Sequence, residues 1–215
     1  MTKYTSWQDD YWLLLMQVYL KRPVGVKPTY SRELVELSLE LHISPQRLHE
    51  RMEQMAQLKT RRIEHLMATY SGHPNKLARA ARLLREMKGY GNAAEFFDGV
   101  ETNETFERDF RPLEEDERLT PVALILVLDL YFRLTPITMV AATPEVVELA
   151  RLLKLRPTEV EELLNVYKHC DPYLNCRDIV FSPLMLPCQQ IWQRYGNSDV
   201  KQLADLAAEL SEYYK

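Results

Sequence analysis

Residues Leu13 to Met55 read LLLMQVYLKRPVGVKPTYSRELVELSLELHISPQRLHERMEQM, and this stretch decides the fold because its plan occurs twice. Residues Ile125 to Tyr167 read ILVLDLYFRLTPITMVAATPEVVELARLLKLRPTEVEELLNVY, with no insertion or deletion and at a constant offset of 112 positions. Identical residues fall at Leu14/Leu126, Tyr19/Tyr131, Glu33/Glu145, Val35/Val147, Glu36/Glu148, Leu37/Leu149, Leu41/Leu153 and Pro45/Pro157. A gapless register over three helices indicates an internal duplication.

The composition is typical of a helical globular protein. The chain has 215 residues, of which 46% are apolar and 27% charged, so it can bury a core. Glycine is scarce, with 6 residues, while Leu, Glu, Arg and Ala are abundant, which favours helix over strand. The formal net charge of -4 gives no overall attraction to nucleic acid, so binding of that kind would depend on local charge.

The sequence contains few signals that indicate a cellular compartment or a membrane. Three cysteines, an odd number, fit a reducing compartment better than a disulfide framework. The N-terminal residues contain no signal-peptide hydrophobic region. The longest apolar run, from Val122 to Phe132, contains Asp129 and is too short to cross a bilayer. We therefore expect a cytoplasmic protein that does not associate with a membrane.

Each copy of the repeat contains an apolar helix followed by a pair of shorter helices. Ser6 or Thr5 is expected to cap the first helix, with Asp9 and Asp10 in its first turn. The apolar helix of the second copy is expected to be capped by Thr120, before Pro121. The next helix is expected to be capped by Ser31 in the first copy and by Thr143 in the second. Leucines and valines at helical spacing form the buried stripes. The last helix of each set is expected to begin at Pro45 or Pro157.

The helix pair with a three-residue connection has the plan of a helix-turn-helix. A small residue faces the partner helix in both copies, Ser38 and Ala150. The turn position that often carries glycine, because it requires positive φ, holds His42 and Lys154 instead. This departure counts against a DNA-reading unit.

The sequence therefore predicts an all-α protein made of two tandem, related helical domains, each with a helix-turn-helix-like pair. The first domain spans residues 1–97 and continues with helices over 60–70 and 74–88. An acidic and partly extended linker is expected over residues 98–118. The second domain spans residues 119–215 and ends with a helix from Asp199 to Tyr214. The triplet Tyr-Gly-Asn occurs at 90–92 and at 195–197, in each case after a helix with a large residue, Met87 or Trp192, expected to point inward.

The order of these features resembles a helical domain found N-terminal to some HNH endonucleases. The second half carries the likeness in LDLYFR (128–133), ELARLL (148–153), CDP (170–172) and IWQRY (191–195). The first half carries it through Trp7, YLK (19–21), the helix pair and AQL (56–58). In that family the nuclease chemistry lies in a separate downstream domain, for which this chain has no clustered His-Asn-His arrangement. The resemblance implies a helical accessory domain that engages DNA, without cleavage.

A basic tract from Lys59 to Lys88 is the leading candidate for a functional site. Its predicted phosphate contacts are Arg61, Arg62, Lys76, Arg79, Arg82 and Arg85. The last three arginines are expected to share the helix face opposite Leu77, Ala81 and Leu84, where a guanidinium fork suits paired phosphate oxygens. The alternative is an ordinary solvated face on which Arg82 pairs with Glu86.

The helix that begins at Pro45 adds three predicted base or phosphate contacts, Gln46, Arg47 and Arg51. Glu50 and Glu53 beside them would repel phosphate. The matching helix of the second half presents Thr158, Glu159, Glu161 and Glu162, which is unfavourable for DNA. We therefore expect any nucleic acid to bind the first half. The acidic second half would then serve another purpose, such as dimerisation or masking.

Catalytic and metal sites are not expected. Cys170, Cys176 and Cys188, with His169, lack the close pair that is typical of structural zinc sites, so buried or idle thiols are the expectation. No glycine-rich phosphate loop is present, and no cofactor is implied. Trp7, Trp12 and Trp192 are expected to fill cores.

Two functions remain open from the sequence. The first is a non-enzymatic DNA-binding or DNA-associated accessory protein that contacts mainly phosphates through its first half. The second is a protein-interaction or scaffolding module, with a protein partner or a homodimer and no bound nucleic acid.

Overall fold

The computed structural model describes residues 7–87, 90, 105–174 and 181–215 of the chain. The chain divides into two compact units, Met1–Glu104 and Thr105–Lys215, called unit 1 and unit 2 below. The helices of unit 1 are α1 Tyr11–Leu20, α2 Arg32–Leu41, α3 Pro45–Ala56, α4 Arg61–Tyr70 and α5 Pro74–Glu86. The helices of unit 2 are α6 Thr105–Phe110, α7 Pro121–Arg133, α8 Pro144–Leu153, α9 Pro157–Cys170, α10 Met185–Tyr195 and α11 Val200–Ser211.

The fold is all-α, as the sequence predicts, and the described residues contain no β-strand. None of the helices in the described ranges is long and apolar enough to cross a membrane.

The centre of unit 1 is α1, because this helix is apolar on nearly all sides and must be surrounded to remove those sides from water. It packs against α2, α3 and α5. Leu14, Leu15 and Met16 are almost completely buried. The expected inward row of α3, Leu48, Met52 and Met55, completes this core.

The centre of unit 2 is α7, which buries ten of its thirteen residues. It packs against α6, α8, α9, α10 and α11. Thr120 caps it as expected, because its side-chain oxygen accepts the backbone N–H of Ala123. The hydroxyl of fully buried Tyr167 donates to the backbone carbonyl of Leu124 at 2.9 Å, so α9 is tied to α7 in the interior.

The helix-turn-helix-like pairs are α2 with α3 and α8 with α9, and both connections make the same turn. His42 has φ 54° and Lys154 has φ 57°, so both adopt the left-handed conformation without glycine. In each turn the next N–H reaches back to the small residue of the preceding helix, from Ile43 to Ser38 and from Leu155 to the carbonyl at position 150. The residue type at the turn was therefore a poor guide to its geometry.

Three capping predictions differ from the structure. Asp9 and Asp10 precede α1 instead of lying in its first turn, and α1 has no side-chain cap; Ser6 and Thr5 lie outside the described residues. Ser31 and Thr143 stand at the expected helix starts, but neither side chain makes a capping hydrogen bond. The Thr143 hydroxyl donates instead to the Thr138 carbonyl.

The predicted linker over 98–118 was wrong for its second part. Residues 105–110 form α6, which packs on α7, and the following residues lead directly to buried Leu119. Phe110 is buried, and the Glu107 carboxylate is buried while it pairs with Arg111 at 3.1 Å. Unit 2 therefore begins at Thr105 rather than at residue 119, and residues 98–104 lie outside the described ranges.

Common descent of the two units stays a prediction. The bounds of α2 and α8 differ by the offset of the sequence repeat at both ends. The described residues between α9 and α10, however, contain no counterpart of α4. Met87 is 60% exposed, so its predicted equivalence to buried Trp192 was wrong. Trp7, Trp12 and Trp192 do belong to the cores, although Trp7 is only partly buried.

Candidate nucleic-acid interface

The largest excess of positive charge in unit 1 lies on the two-helix segment 59–86, called the basic hairpin below. It contains seven Lys and Arg residues against two Glu residues. Within α4 only Ile63 is fully buried, and within α5 only Leu77, Ala81 and Leu84 are. One narrow face of each helix is therefore used for packing, and the remaining positions reach water.

The arginines of α5 do not form a single stripe. Arg79 and Arg82 are exposed on the side away from the buried residues, as predicted. Arg85 turns to α2 instead, where its Nε and Nη2 donate to the two carboxylate oxygens of Glu40 at 2.6 and 2.9 Å. Position 85 is about 80° around the helix from Leu77, at the flank of the buried face, so it meets the neighbouring helix.

The Glu40 cluster was not predicted from the sequence. The Tyr90 hydroxyl also donates to Glu40, and Gln17 lies 3.4 Å from Arg85. Burial raises the pKa of the Glu40 carboxyl, but its hydrogen bonds to Arg85 and Tyr90 outweigh that effect and hold the pKa below its ordinary value. The cluster joins α1, α2 and the end of α5, so Arg85 stabilises unit 1 and is removed from the candidate site.

Arg82 is mostly solvated. Its Nε lies 3.7 Å from a carboxylate oxygen of Glu86, one turn later, with both side chains well exposed. An exposed pair of this length is worth little and leaves the guanidinium available to a stronger anion. Arg79 makes no hydrogen bond or ion pair with a described residue.

The two arginines at the start of α4 also differ, because one is paired with acids and the other is solvated. Arg62 donates to Asp9 at 2.8 Å and lies 3.5 Å from Asp10, so the acids expected in the first turn of α1 neutralise it. Arg61 is exposed and, like Lys59, has no polar side-chain partner among the described residues. Thr60 caps the helix between them by accepting the N–H of Ile63.

Lys76 lies at the start of α5. Its ammonium is 5.4 Å from the centre of the Tyr70 ring, at a distance where a cation is attracted to an aromatic face. The two residues bring the end of α4 and the start of α5 together. Because Lys76 stays exposed, its charge still faces water.

Gln46 and Arg51, two of the three α3 residues of the predicted site, are engaged within unit 1. Gln46 donates to the Tyr30 hydroxyl. Arg51 stacks on Trp7, with 5.2 Å from the guanidinium carbon to the ring centre, and also donates to Gln54 at 3.1 Å. Arg47 is exposed and takes part in an interaction inside the protein.

The acids of the second helix pair are not all free to repel a ligand. The Glu159 carboxylate accepts the backbone N–H of Arg156 and the guanidinium of Arg118, each at 2.8 Å. The backbone hydrogen bond and then the two arginines lower the pKa of Glu159 to about 2. Glu161 accepts the backbone N–H of Ala141 at 2.8 Å. Glu162 remains exposed to solvent.

Unit 2 also contains a cleft of about 750 Å³ between α6, α7 and α10. Its walls combine apolar side chains with both signs of charge. Arg194 and Asp109 form a bidentate pair there, at 2.6 and 2.7 Å. Arg108 and Glu114 face the same space, so the lining charges balance and favour neither anions nor cations.

Cys170, which is half-buried, and Cys188, which is buried, resemble structural thiols. Burial raises the pKa of Cys170 to about 11 and that of Cys188 to about 12, which is opposite to what a reactive thiolate needs. Cys176 lies outside the described residues. Within the described part of the chain, no three His, Cys, Asp or Glu side chains are grouped as a metal ion would require.

Comparison of the chain with protein-family models, with curated proteins and with solved structures finds no match. The resemblance to the helical domain of HNH endonucleases therefore stays a prediction.

Proposed function

We propose that this protein is a non-enzymatic, DNA-associated accessory protein that holds duplex DNA against the basic hairpin of unit 1. The observation that supports this role is the set of exposed cations on α4 and α5. Arg61, Lys76 and Arg79 face water without an ion pair to any described residue, and Arg82 has only a long, solvated pair. Lys59 adds a fifth charge before α4.

The ligand contacts in this role are mainly to phosphates. Lysine and arginine side chains on one surface replace condensed counterions along the DNA backbone, and the release of those ions drives binding. The guanidinium of Arg79 can donate two parallel hydrogen bonds to one phosphate, which lysine cannot. Gln46, Arg51, Arg62 and Arg85 are left out of the interface, because each already has a partner inside unit 1.

The decisive measurement is the anisotropy of a labelled random-sequence duplex titrated with the full chain at low and at moderate salt. We expect binding at low salt that weakens steeply as salt is added. The variant Arg79→Glu should weaken it at least tenfold. Arg151→Glu is the matched control, because Arg151 is an exposed helical arginine of unit 2. Equal losses in the two variants, or no binding at micromolar protein and low salt, would contradict the proposed role.

The competing role is a protein-interaction module. The feature that favours it is the cleft of unit 2, with exposed Leu186 at its edge and buried Leu124 and Ile191 in its lining. The same titration separates the two roles, because a protein-interaction module does not need to bind DNA. In either role we place the protein in the cytoplasm, in keeping with its free thiols at Cys170 and Cys188.

A further inference from the structure

We infer that α3 does not read base edges, so that the basic hairpin holds duplex DNA by its backbone alone and without sequence preference. This rests on the proposed function, and it narrows the ligand to the sugar–phosphate surface of DNA. A helix-turn-helix normally reads sequence with its second helix in the major groove. In unit 1 that helix would be α3.

Two side chains of α3 that could read bases, Gln46 and Arg51, have partners within unit 1. Gln46 donates its amide to Tyr30, so its bidentate geometry for adenine is already used. Arg51 lies over Trp7 and Trp12, with its guanidinium carbon 5.2 and 6.0 Å from the ring centres. A stacked guanidinium must leave both rings before it can reach guanine.

His49 is fixed in a similar way. Its Nδ1 lies 2.9 Å from the backbone carbonyl of Lys27, in the segment that connects α1 and α2. Its Nε2 faces Glu53 at 3.7 Å. Neither ring nitrogen is directed to solvent alone, so the His49 ring offers no free donor to a base.

The charge of α3 also argues against insertion of this helix into the major groove. Arg47 and Arg51 are balanced by Glu50 and Glu53, which are both exposed. In the major groove these two carboxylates would lie among phosphates on both strands, at separations where like charges repel. The basic hairpin contains seven cations against two acids, so its net charge is positive and it attracts phosphate overall.

The experiment compares three labelled duplexes of equal length: random, G·C-rich and A·T-rich. We expect the full chain to bind all three with affinities within about threefold. Five phosphate contacts, one for each of the solvated cations Lys59, Arg61, Lys76, Arg79 and Arg82, predict that the logarithm of the binding constant falls with the logarithm of the salt concentration with a slope of about -4.5. A preference of tenfold or more among the duplexes would overturn the inference while leaving the proposed function intact.

A variant of α3 supplies the second readout. Glu50→Lys changes an exposed charge that has no ion pair with the described residues. If α3 stays outside the groove, affinity in 0.15 M salt should change by less than twofold, because charges beyond about 8 Å are screened. A gain of fivefold or more would place α3 at the DNA and overturn the inference.

The comparison variant is Arg79→Glu, which should lower affinity for all three duplexes equally. A loss confined to one sequence would overturn the inference. If the unmodified chain binds none of the duplexes at low salt, the proposed function fails and this inference fails with it.

Discussion

Replacing Glu159 with glutamine is expected to cost unit 2 about 1 kcal/mol of stability at neutral pH. Glu159 accepts the backbone N–H of Arg156 at 2.8 Å, which satisfies one of the free donors at the start of α9. A helix cap of this kind is worth about 1 kcal/mol, and the charged form of the acceptor roughly doubles the hydrogen bond. Glutamine keeps an acceptor oxygen and loses the charge.

The contribution of Arg118 is small by comparison. Its guanidinium lies 2.8 Å from Glu159 but is 61% exposed, so water and salt screen the pair. The expected loss is therefore set by the backbone hydrogen bond, and the variant Glu159→Ala, which removes the cap altogether, should lose about 2 kcal/mol.

The dependence on pH gives the sharper test. The pKa of Glu159 falls from an ordinary value of 4.5 to about 2 in the folded protein. Stability from a lowered carboxyl pKa is fully present above pH 4.5 and is lost as pH falls toward 2. Urea denaturation followed by circular dichroism should therefore give a difference between the unmodified chain and Glu159→Gln that is clearly smaller at pH 3 than at pH 7.

The matched control is Glu162→Gln, on the exposed side of the same helix. It should leave the free energy of unfolding unchanged within about 0.5 kcal/mol at every pH. A loss at Glu159 that stays constant from pH 7 to pH 3 would refute the reasoning, because the stabilisation would then not depend on the charge.

Substitutions at three further positions probe single features of unit 2. Burial of Asp129 outweighs its pair with Arg133 and raises its pKa, so Asp129→Asn should gain stability relative to the unmodified chain as pH rises from 4 to 7 in urea denaturation. Lys154→Gly should stabilise by about 0.5 kcal/mol in the same assay by relieving the left-handed backbone at φ 57°, whereas Lys154→Ala should not. Gly196→Ala should destabilise by about 1–3 kcal/mol, visible as a lower melting temperature, because the new Cβ would lie 2.7 Å from the Trp192 ring. A neutral result for Gly196→Ala, or an equal gain for both variants at position 154, would contradict these reasons.

The helices could be predicted from the sequence because their signals are local. The row Leu48, Met52 and Met55 has helical spacing, and Pro45 marks the start of α3. Thr143 and Pro144 likewise marked the start of α8, although the threonine side chain makes no cap. Periodicity identifies an element and its inward face without knowledge of its neighbours.

The partners of charged residues could not be predicted, because they depend on which helices meet. Arg85 finds Glu40, which is 45 positions away in the sequence. Arg62 similarly finds Asp9 and Asp10 across the unit. The basic tract was visible as composition, but which of its charges stay solvated was decided by tertiary packing.

The linker was predicted wrongly because the acidic composition of this segment obscured the helical spacing of its apolar residues. The acids of residues 105–118 dominate the average, yet Phe106 and Phe110 recur at a spacing of four, with Leu119 beyond them. This spacing is a helical signal, and α6 follows it. A search for periodicity within the acidic segment would have extended unit 2 to its observed start.

Within α4, Ile63 is the one side chain that is wholly enclosed. Leu66, Met67 and Tyr70 pack against the same core with part of their surface exposed, so the other six positions of this helix can change while the interior remains undisturbed. Mutation can therefore reshape the outward chemistry of this helix far faster than that of α1 or α7, whose residues are constrained on most sides. In proteins that descend from this one, we expect changes of ligand to arise first from substitutions in α4, without a change of fold.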